Sequence, residues 1–414
     1  MSTPISPILP AQRIATLDYL RGFALLGILM VNMLWMNAPV GISLTDYPWW
    51  DSPADRFSEF LIYFLFEGKF YPIFSFLFGY GFWLFIHKAD QGKSLVGLYA
   101  WRLVVLILFG AAHIVLLWPG DILFFYGLLG LLLLPFRNKS NRKLLVWTGC
   151  LILLPLLIMA IAAWGFSLAL NQPEMAPTIQ AAIEEQQGVF VALIEKALRV
   201  YPSGSFSEIV NIRLEEYSTL LTGAVLMFYP NVLAFLLLGF YAARKGLLQQ
   251  TKVHLPFFRK MAVWGLAIGL LAGLGNAWLK MNSDLGMPTL ESVAAMSLNA
   301  LGGPLLSLAY ISLLILLFRN GRWALLQNGL AAAGRMALTC YLMHSILSAL
   351  LFHSYGLGLY GQVAIWQGVV LSLLIFALQL PFSVWWLRIF HYGPFEWLWR
   401  SLTYRRLQPF RKHS

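Results

Sequence analysis

The sequence has 414 residues, of which 59% are hydrophobic and only 11% are charged. Soluble domains average about 25% charged residues, so this composition excludes an ordinary soluble protein and predicts an all-α, polytopic membrane protein. The net charge of +11 does not indicate nucleic-acid binding, because the basic residues of membrane proteins collect in their cytoplasmic loops.

The first hydrophobic run, residues 14–36, is long enough to cross a bilayer as a helix. It nevertheless contains Asp18, Arg21 and Asn32, whose side chains are costly in hydrocarbon. At about 100° per residue, the three side chains fall on one stripe of the helix. We therefore predict that this stripe faces a polar cavity rather than lipid.

About ten spans are predicted, with both termini in the cytoplasm. Basic residues are concentrated in alternate loops and in the C-terminal tail, whereas acidic residues of 46–55 and 174–185 fall in the other loops. This asymmetry predicts that the basic loops are cytoplasmic. The predicted spans lie near residues 14–36, 69–87, 95–117, 121–136, 144–170, 220–243, 260–280, 291–318, 329–352 and 363–389. Gly68 is expected to break the apolar run before the second span into an interfacial or re-entrant helix followed by the span itself.

The spans divide the chain into four predicted regions. Residues 1–170 form an N-terminal membrane half of about five spans, which includes a polar helical hairpin at 95–136. Residues 171–219 form an extracytoplasmic segment with an amphipathic helix. Residues 220–392 form a C-terminal membrane half of about five spans, and residues 393–414 form a basic cytoplasmic tail.

The hairpin carries the main candidates for chemistry, His113 and Asp121, on either side of a Trp-Pro-Gly turn. A histidine near a carboxylate is held in one tautomer and can act as a general base. The alternative is structural: Asp121 caps the next helix while His113 binds a backbone carbonyl. The topology brings Asn32, Glu67 and Lys69 to the same outer side, which predicts one accessible polar pocket. For Asn32 the alternative is a hydrogen bond that only holds two helices together.

A second polar group, Asp18, Arg21, Arg102 and Arg335, is predicted on the cytoplasmic side, where Arg102 is expected to extend to the membrane interface. Asp18 and Arg21 are three residues apart and can form an ion pair, whereas an unpaired arginine would bind a phosphate-bearing ligand. His344 lies about 13 Å beyond Arg335 along its helix, and it is either a substrate-binding residue or a hydrogen-bonded core residue. The two cysteines, Cys150 and Cys340, both fall inside hydrophobic runs. Neither their number nor their spacing predicts a disulfide or a metal cofactor.

Five stretches, spread from residue 17 to residue 403, resemble the bacterial YeiB-like family of multi-span proteins, a domain of unknown function. That family is similar to the transmembrane acyltransferase superfamily, in which an acyl group from cytoplasmic acyl-CoA reaches an acceptor across the membrane. The stretches are LDYLRGFALLGILMVN (17–32), KFYPIFSFLFGYG (69–81), HIVLLWPGDILFFYG (113–127), GRMALTCYL (334–342) and GPFEWLWRSLT (393–403).

The resemblance carries the superfamily pattern Asp-x-x-Arg-Gly onto Asp18, Arg21 and Gly22. Acyltransferase-three proteins have a catalytic histidine eleven residues after that arginine, where this sequence has Asn32. The related lysosomal enzyme is similar in having asparagine there. The resemblance therefore does not supply the general base for acyl transfer. His113 becomes the candidate for that base because of its position.

The leading hypothesis is transfer of an acyl group, such as acetyl, from acyl-CoA to an extracytoplasmic glycan or lipid acceptor. Arg21 and Arg335 would bind the CoA phosphates, His113 oriented by Asp121 would deprotonate the acceptor, and Asn32 would bind the oxyanion. The expected location is the bacterial cytoplasmic (inner) membrane. The expected partners are membrane lipids and not nucleic acid, and homo-oligomerisation is left open.

Two other functions are compatible with the same residues. A transporter or lipid-handling protein would line its path with them and relay protons through His113 and Asp121. A non-catalytic membrane scaffold would have lost the ancestral activity, in keeping with the histidine missing from the first span. Dependence on acyl-CoA separates the first hypothesis from these two.

Overall fold

The computed structural model describes residues 13–42, 45, 47–87, 95–283 and 286–412. Asp46, one of the acidic loop residues that predict the orientation, lies outside this part. The described chain is helical, and its only β pairing is an isolated bridge between Phe390 and Arg411. The helices are α1 (Ala15–Met36), α2 (Pro53–Leu61), α3 (Phe70–His87), α4 (Val96–Leu116), α5 (Leu123–Leu131), α6 (Asn141–Leu170), α7 (Ala176–Ser203), α8 (Phe206–Gly223), α9 (Tyr229–Arg244), α10 (Leu255–Asn282), α11 (Leu290–Ser297), α12 (Gly303–Phe318), α13 (Ala324–Arg335), α14 (Ala337–Phe352), α15 (Ile365–Ile389) and α16 (Pro394–Tyr404).

The protein is an all-α, polytopic membrane protein, as its composition predicts. Within the described residues, eight helical segments are long and apolar enough to cross a membrane. A ninth is the pair α13 and α14, bent by 81° at Met336. The remaining predicted span, 121–136, is the short apolar helical segment Leu123–Phe136, about 21 Å long at 1.5 Å per residue. The orientation across the membrane stays a prediction.

The second span contains an interruption that its sequence predicts at Gly68. Helix α2, a π-helical segment (Ile62–Phe66) and α3 follow one another, and Gly68 between them has a φ of 78°. A Cβ atom at this position would lie 1.9 Å from the Asn299 side chain, so only glycine fits.

The segment predicted to be extracytoplasmic, residues 171–219, contains α7 and most of α8, where one amphipathic helix is predicted. They are separated by a short turn at which Ser205 and Glu208 form a capping box. Helix α7 buries Leu193, Ala197 and Tyr201, which recur at helical spacing on one face. The segment packs onto the bundle, with α7 against α6 and α8 against α4.

Helix α1 lies at the centre of the bundle, against α3, α13, α14 and α15. Glycines allow its backbone to approach that of α13 closely. A Cβ atom at Gly22 would lie 1.9 Å from the Leu330 carbonyl oxygen, and one at Gly334 would lie 1.8 Å from that of Asp18. Such small-residue contacts are a common way of packing helices in a membrane, where hydrophobic burial against lipid gains little.

The C-terminal tail is docked on the bundle through α16. The Glu396 carboxylate accepts hydrogen bonds from the Thr339 backbone amide (3.0 Å) and hydroxyl (2.6 Å). The Trp399 indole donates to the Arg102 carbonyl oxygen at 3.0 Å, and the Arg102 guanidinium lies 3.8 Å from the centre of that indole. The tail thereby covers the N-terminal parts of α4 and α14.

Candidate functional site

A buried line of three polar side chains joins the hairpin to α14. His113 Nδ1 lies 2.8 Å from Asp121 Oδ2, and its Nε2 lies 2.8 Å from Ser345 Oγ. The His113 and Asp121 side chains have no exposed surface, and Ser345 is 1% exposed. This order of atoms is that of a Ser-His-Asp triad, in which the carboxylate faces Nδ1 and the hydroxyl faces Nε2.

The hairpin turn sets this geometry locally. His113 lies in the last turn of α4, where its carbonyl oxygen accepts from the Leu117 and Trp118 amides. Asp121 Oδ1 accepts from the Phe124 amide at 2.7 Å and so caps α5. The capping role predicted as an alternative is therefore present together with the contact to His113, because the two carboxylate oxygens are used separately.

The His113–Asp121 contact has the distance of an ion pair but not the angles of a regular hydrogen bond. Within the described chain, neither His113 Nδ1 nor Asp121 Oδ2 has a hydrogen bond of regular geometry. The pair is thus placed to keep the proton on Nδ1 and the lone pair on Nε2.

Tyr341 lies one helical turn before Ser345 on α14, and its ring centre is 5.3 Å from that of His113. Its buried hydroxyl faces the Ile122 amide but makes no hydrogen bond of regular geometry in the part of the chain described here. Among the described residues, the phenolic O–H is therefore available as a hydrogen-bond donor.

Asn32 and His344 make no contact that joins them to this cluster within the described residues. Asn32 is half-buried, one turn before Met36, whose Sδ accepts from Ser348 Oγ at 3.0 Å. His344 Nε2 lies 2.8 Å from Gln379 Oε1, and both side chains are buried. The contacts of His344 are those of the hydrogen-bonded core residue that is one of its two predicted roles.

Lys69 and Glu67 lie in other contacts, so the predicted single outer pocket is not formed. The buried Lys69 ammonium donates to the Tyr63 carbonyl oxygen at 2.7 Å. Glu67 forms an ion pair with Lys280 at 2.7 Å. Both belong to the packing between the Gly68 interruption and α10, whereas the His113 cluster is closed between α4, α5 and α14.

On the predicted cytoplasmic side, Arg21 Nη1 forms an ion pair with Asp18 at 3.1 Å. Arg335 and Arg13 interact electrostatically with this pair. Arg335 Nε is buried and has no hydrogen-bond partner among the described residues. Three arginines thus share one carboxylate, which leaves a net positive site suited to a phosphate-bearing ligand.

Ser345 and Tyr341 are absent from the residues predicted from sequence. A serine or tyrosine in an apolar helix is common and gives no signal alone, and Ser345 is 232 positions from its histidine partner. In the described part of the chain, no group of three or more His, Cys, Asp or Glu side chains is arranged to hold a metal ion.

Comparisons with known proteins give relatives from bacteria. A family model described as "Protein of unknown function (DUF418)" matches residues 242–406. The "Uncharacterized protein YxaH" of Bacillus subtilis is 33% identical over 99% of each chain. An "Uncharacterized 39.9 kDa protein in amylase 3'region" of Bacillus acidopullulyticus is 34% identical over 98% of each chain. The "Uncharacterized protein YeiB" of Escherichia coli is 29% identical over 96% of this chain and 98% of that one. The chain therefore belongs to the YeiB-like (DUF418) family of multi-pass membrane proteins.

Proposed function

We propose that this protein is an acyltransferase of the bacterial cytoplasmic (inner) membrane in which Ser345 carries the acyl group. The observation that carries the proposal is the buried Ser345–His113–Asp121 line, with each atom in the order that activates a serine hydroxyl. The donor is a cytoplasmic acyl-CoA, and the acceptor is a hydroxyl or amine of an extracytoplasmic glycan or lipid.

The first step forms an ester and breaks a thioester. Ser345 Oγ attacks the thioester carbonyl while His113 Nε2 takes its proton, and the tetrahedral intermediate collapses to expel the CoA thiolate, which receives that proton. In the second step His113 takes a proton from the acceptor, which attacks the Ser345 ester, and Ser345 leaves as a hydroxyl after reprotonation. No oxidant or reductant is needed.

The residues around this line have separate roles in the proposal. Asp121 keeps the proton of His113 on Nδ1 and stabilises the imidazolium that forms in each step. The Tyr341 hydroxyl donates to the oxyanion. Tyr341 suits this role better than Asn32 does, because Tyr341 lies one turn from Ser345 on the same helix whereas Asn32 lies on α1. Asn32 would then contact the acyl chain or the acceptor from α1.

Binding of the donor is assigned to the positive site formed by Arg21, Arg335 and Arg13. Arg335 precedes Ser345 by ten residues, which is at most about 15 Å of helix. The extended pantetheine arm of coenzyme A can bridge this distance while its phosphates stay with the arginines. The carboxylate of Asp18 holds Arg21 in place without neutralising the site.

Acyl groups can reach Ser345 only if the helices around α14 separate, because the His113 cluster is closed in this structure. The break at Met336, where α13 and α14 meet at 81°, is the position at which α14 can move relative to α1. Donor binding at Arg335, directly before this break, would couple the opening to the arrival of acyl-CoA.

The test is formation of an acyl-enzyme in purified protein in nanodiscs. Acetyl-CoA and longer acyl-CoA are added, the reaction is quenched in acid, and mass spectrometry locates the acyl group. An adduct on Ser345 is expected in the wild type and in Ser348→Ala, a matched buried serine on the same helix. It should be absent in Ser345→Ala and His113→Ala. No adduct and no thioester cleavage with any acyl-CoA would overturn the proposal.

Transport is the second candidate, and a specific feature favours it. Besides the broken pair α13–α14, three π-helical segments interrupt the spans, at Ile62–Phe66, Ala224–Phe228 and Leu298–Gly302. Such interruptions occur at functional sites and in the helices of transporters. Substrate accumulation in vesicles that persists in Ser345→Ala would support transport and argue against acyl transfer.

A further inference from the structure

A separate cavity of about 130 Å³ lies at the outer end of α1. It is a partly open cavity lined by α1, by the π-helical segment that follows α2, and by the start of α15. The aromatic part of its lining is Trp35, Trp49, Trp50 and Tyr63, and aliphatic and methionine side chains form most of the rest. The His113 cluster does not line it, so the cavity is a second site.

One polar group in the wall lacks a partner. Asn37 is 6% exposed, and its Nδ2 donates to the Val363 carbonyl oxygen at 2.5 Å. This bond fixes the direction of the amide, and Asn37 Oδ1 has no hydrogen bond within the described residues. A buried oxygen of this kind is costly unless a ligand donates to it, and a hydroxyl or amine is the suitable donor.

The charge of the lining restricts the ligand. Among the described residues that line the cavity, Glu59 is the only charged one, and its Oε1 accepts from the Tyr63 hydroxyl at 2.8 Å. A site without lysine or arginine does not suit phosphate, sulfate or carboxylate groups. It suits a neutral or amine-bearing molecule rich in hydroxyl groups.

The aromatic walls suit a ring with apolar faces and a polar edge. The Trp49 and Trp50 ring centres are 6.3 Å apart at an angle of 65°, so the two indoles present surfaces in different directions. A pyranose has C–H faces that pack on indole rings and hydroxyls at its edge that can donate to Asn37 and Glu59. The aromatic residues supply apolar contact, and the two polar residues supply orientation.

We infer that this cavity binds a single neutral or amino sugar ring at the outer surface. It is connected to the hairpin, because the Trp35 carbonyl oxygen lies 3.5 Å from the indole nitrogen of Trp118, which precedes the turn that carries Asp121. The role of the bound sugar as acyl acceptor rests on the proposed function. Binding of the sugar does not.

The experiment is saturation-transfer NMR on the full chain in nanodiscs prepared without glycoside detergents. The probes are methyl glucopyranoside, glucosamine and N-acetylglucosamine, and glycerol 3-phosphate is the anionic comparison. Saturable binding of at least one sugar is expected, with the affinity lowered about fivefold or more in Trp50→Ala. Trp147→Ala, which removes an exposed indole from α6, should bind as the wild type does.

The outcomes separate the sugar site from acyl transfer. Sugar binding that depends on Trp50, without any acyl-enzyme at Ser345, would support this site and overturn the proposed function. Failure of all three sugars to bind a folded, monodisperse protein would overturn this inference and leave the acyl-enzyme result unaffected. Wild-type affinity in both Trp50→Ala and Trp49→Ala, or preferential binding of glycerol 3-phosphate, would also overturn it.

Discussion

Replacement of Asp121 by asparagine tests the His113 arrangement with little change in shape. Asparagine is as good an N-cap as aspartate, so its oxygen can keep the 2.7 Å bond to the Phe124 amide. Its NH₂ group then takes the position of Oδ2, 2.8 Å from His113 Nδ1. That contact makes Nδ1 an acceptor and moves the imidazole proton to Nε2, which can no longer take a proton from Ser345.

The expected magnitudes follow from this change. Asp121→Asn should lower the rate of acyl-enzyme formation by about 10³- to 10⁴-fold while changing the free energy of unfolding by less than about 1 kcal/mol. Asp121→Ala loses the cap and leaves buried groups unpaired, which costs about 2–4 kcal/mol of stability in addition to activity. The comparison separates the electrostatic role of the carboxylate from its structural role.

Two assays check this prediction. Single-turnover quench experiments measure the rate, and ¹⁵N chemical shifts of selectively labelled histidine report which nitrogen of His113 carries the proton. The second assay does not depend on activity. The reasoning is refuted if Asp121→Asn keeps more than about a tenth of the wild-type rate, or if the proton stays on Nδ1 in the variant.

Three further predictions use other parts of the structure. Burial raises the pKa of Glu216 on α8 to about 7. A raised carboxyl pKa means that the folded state holds the proton more tightly, so the contribution of Glu216 to the docking of α7–α8 is greatest below about pH 4.5 and is lost as the pH rises towards 7. Hydrogen exchange should show this contribution as a pH-dependent difference between the wild type and Glu216→Gln, on the order of 3 kcal/mol at most. Gly334→Ala should destabilise the protein by about 1–3 kcal/mol in SDS unfolding, because its Cβ would lie 1.8 Å from the Asp18 carbonyl oxygen, and an unchanged midpoint would contradict that contact. Arg335→Ala should weaken acyl-CoA binding about tenfold or more in calorimetry, whereas the exposed Arg322→Ala should not, and equal affinities would remove the arginine site from the mechanism.

The sequence by itself determined the properties that depend on local composition and spacing. Continuous apolar segments predict membrane helices because unpaired backbone groups are excluded from lipid, and all ten predicted segments are helical in the structure. The Asp18–Arg21 pair and the Asp121 cap are also local, since each joins residues three positions apart. The same reasoning predicts Gly68 as an interruption, because a flexible residue stands between two apolar helices.

Only the tertiary structure decided which distant side chains meet. Ser345 has an apolar helical neighbourhood, and its partnership with His113 arises because α4 and α14 pack together across 232 positions of the chain. Lys69 has the opposite outcome: it shares the predicted outer side with His113, yet packing turns its ammonium towards the Tyr63 carbonyl. Hydropathy specifies that a segment crosses the membrane, but not its rotation or its neighbours, which depend on close contacts such as that between Gly22 and Leu330.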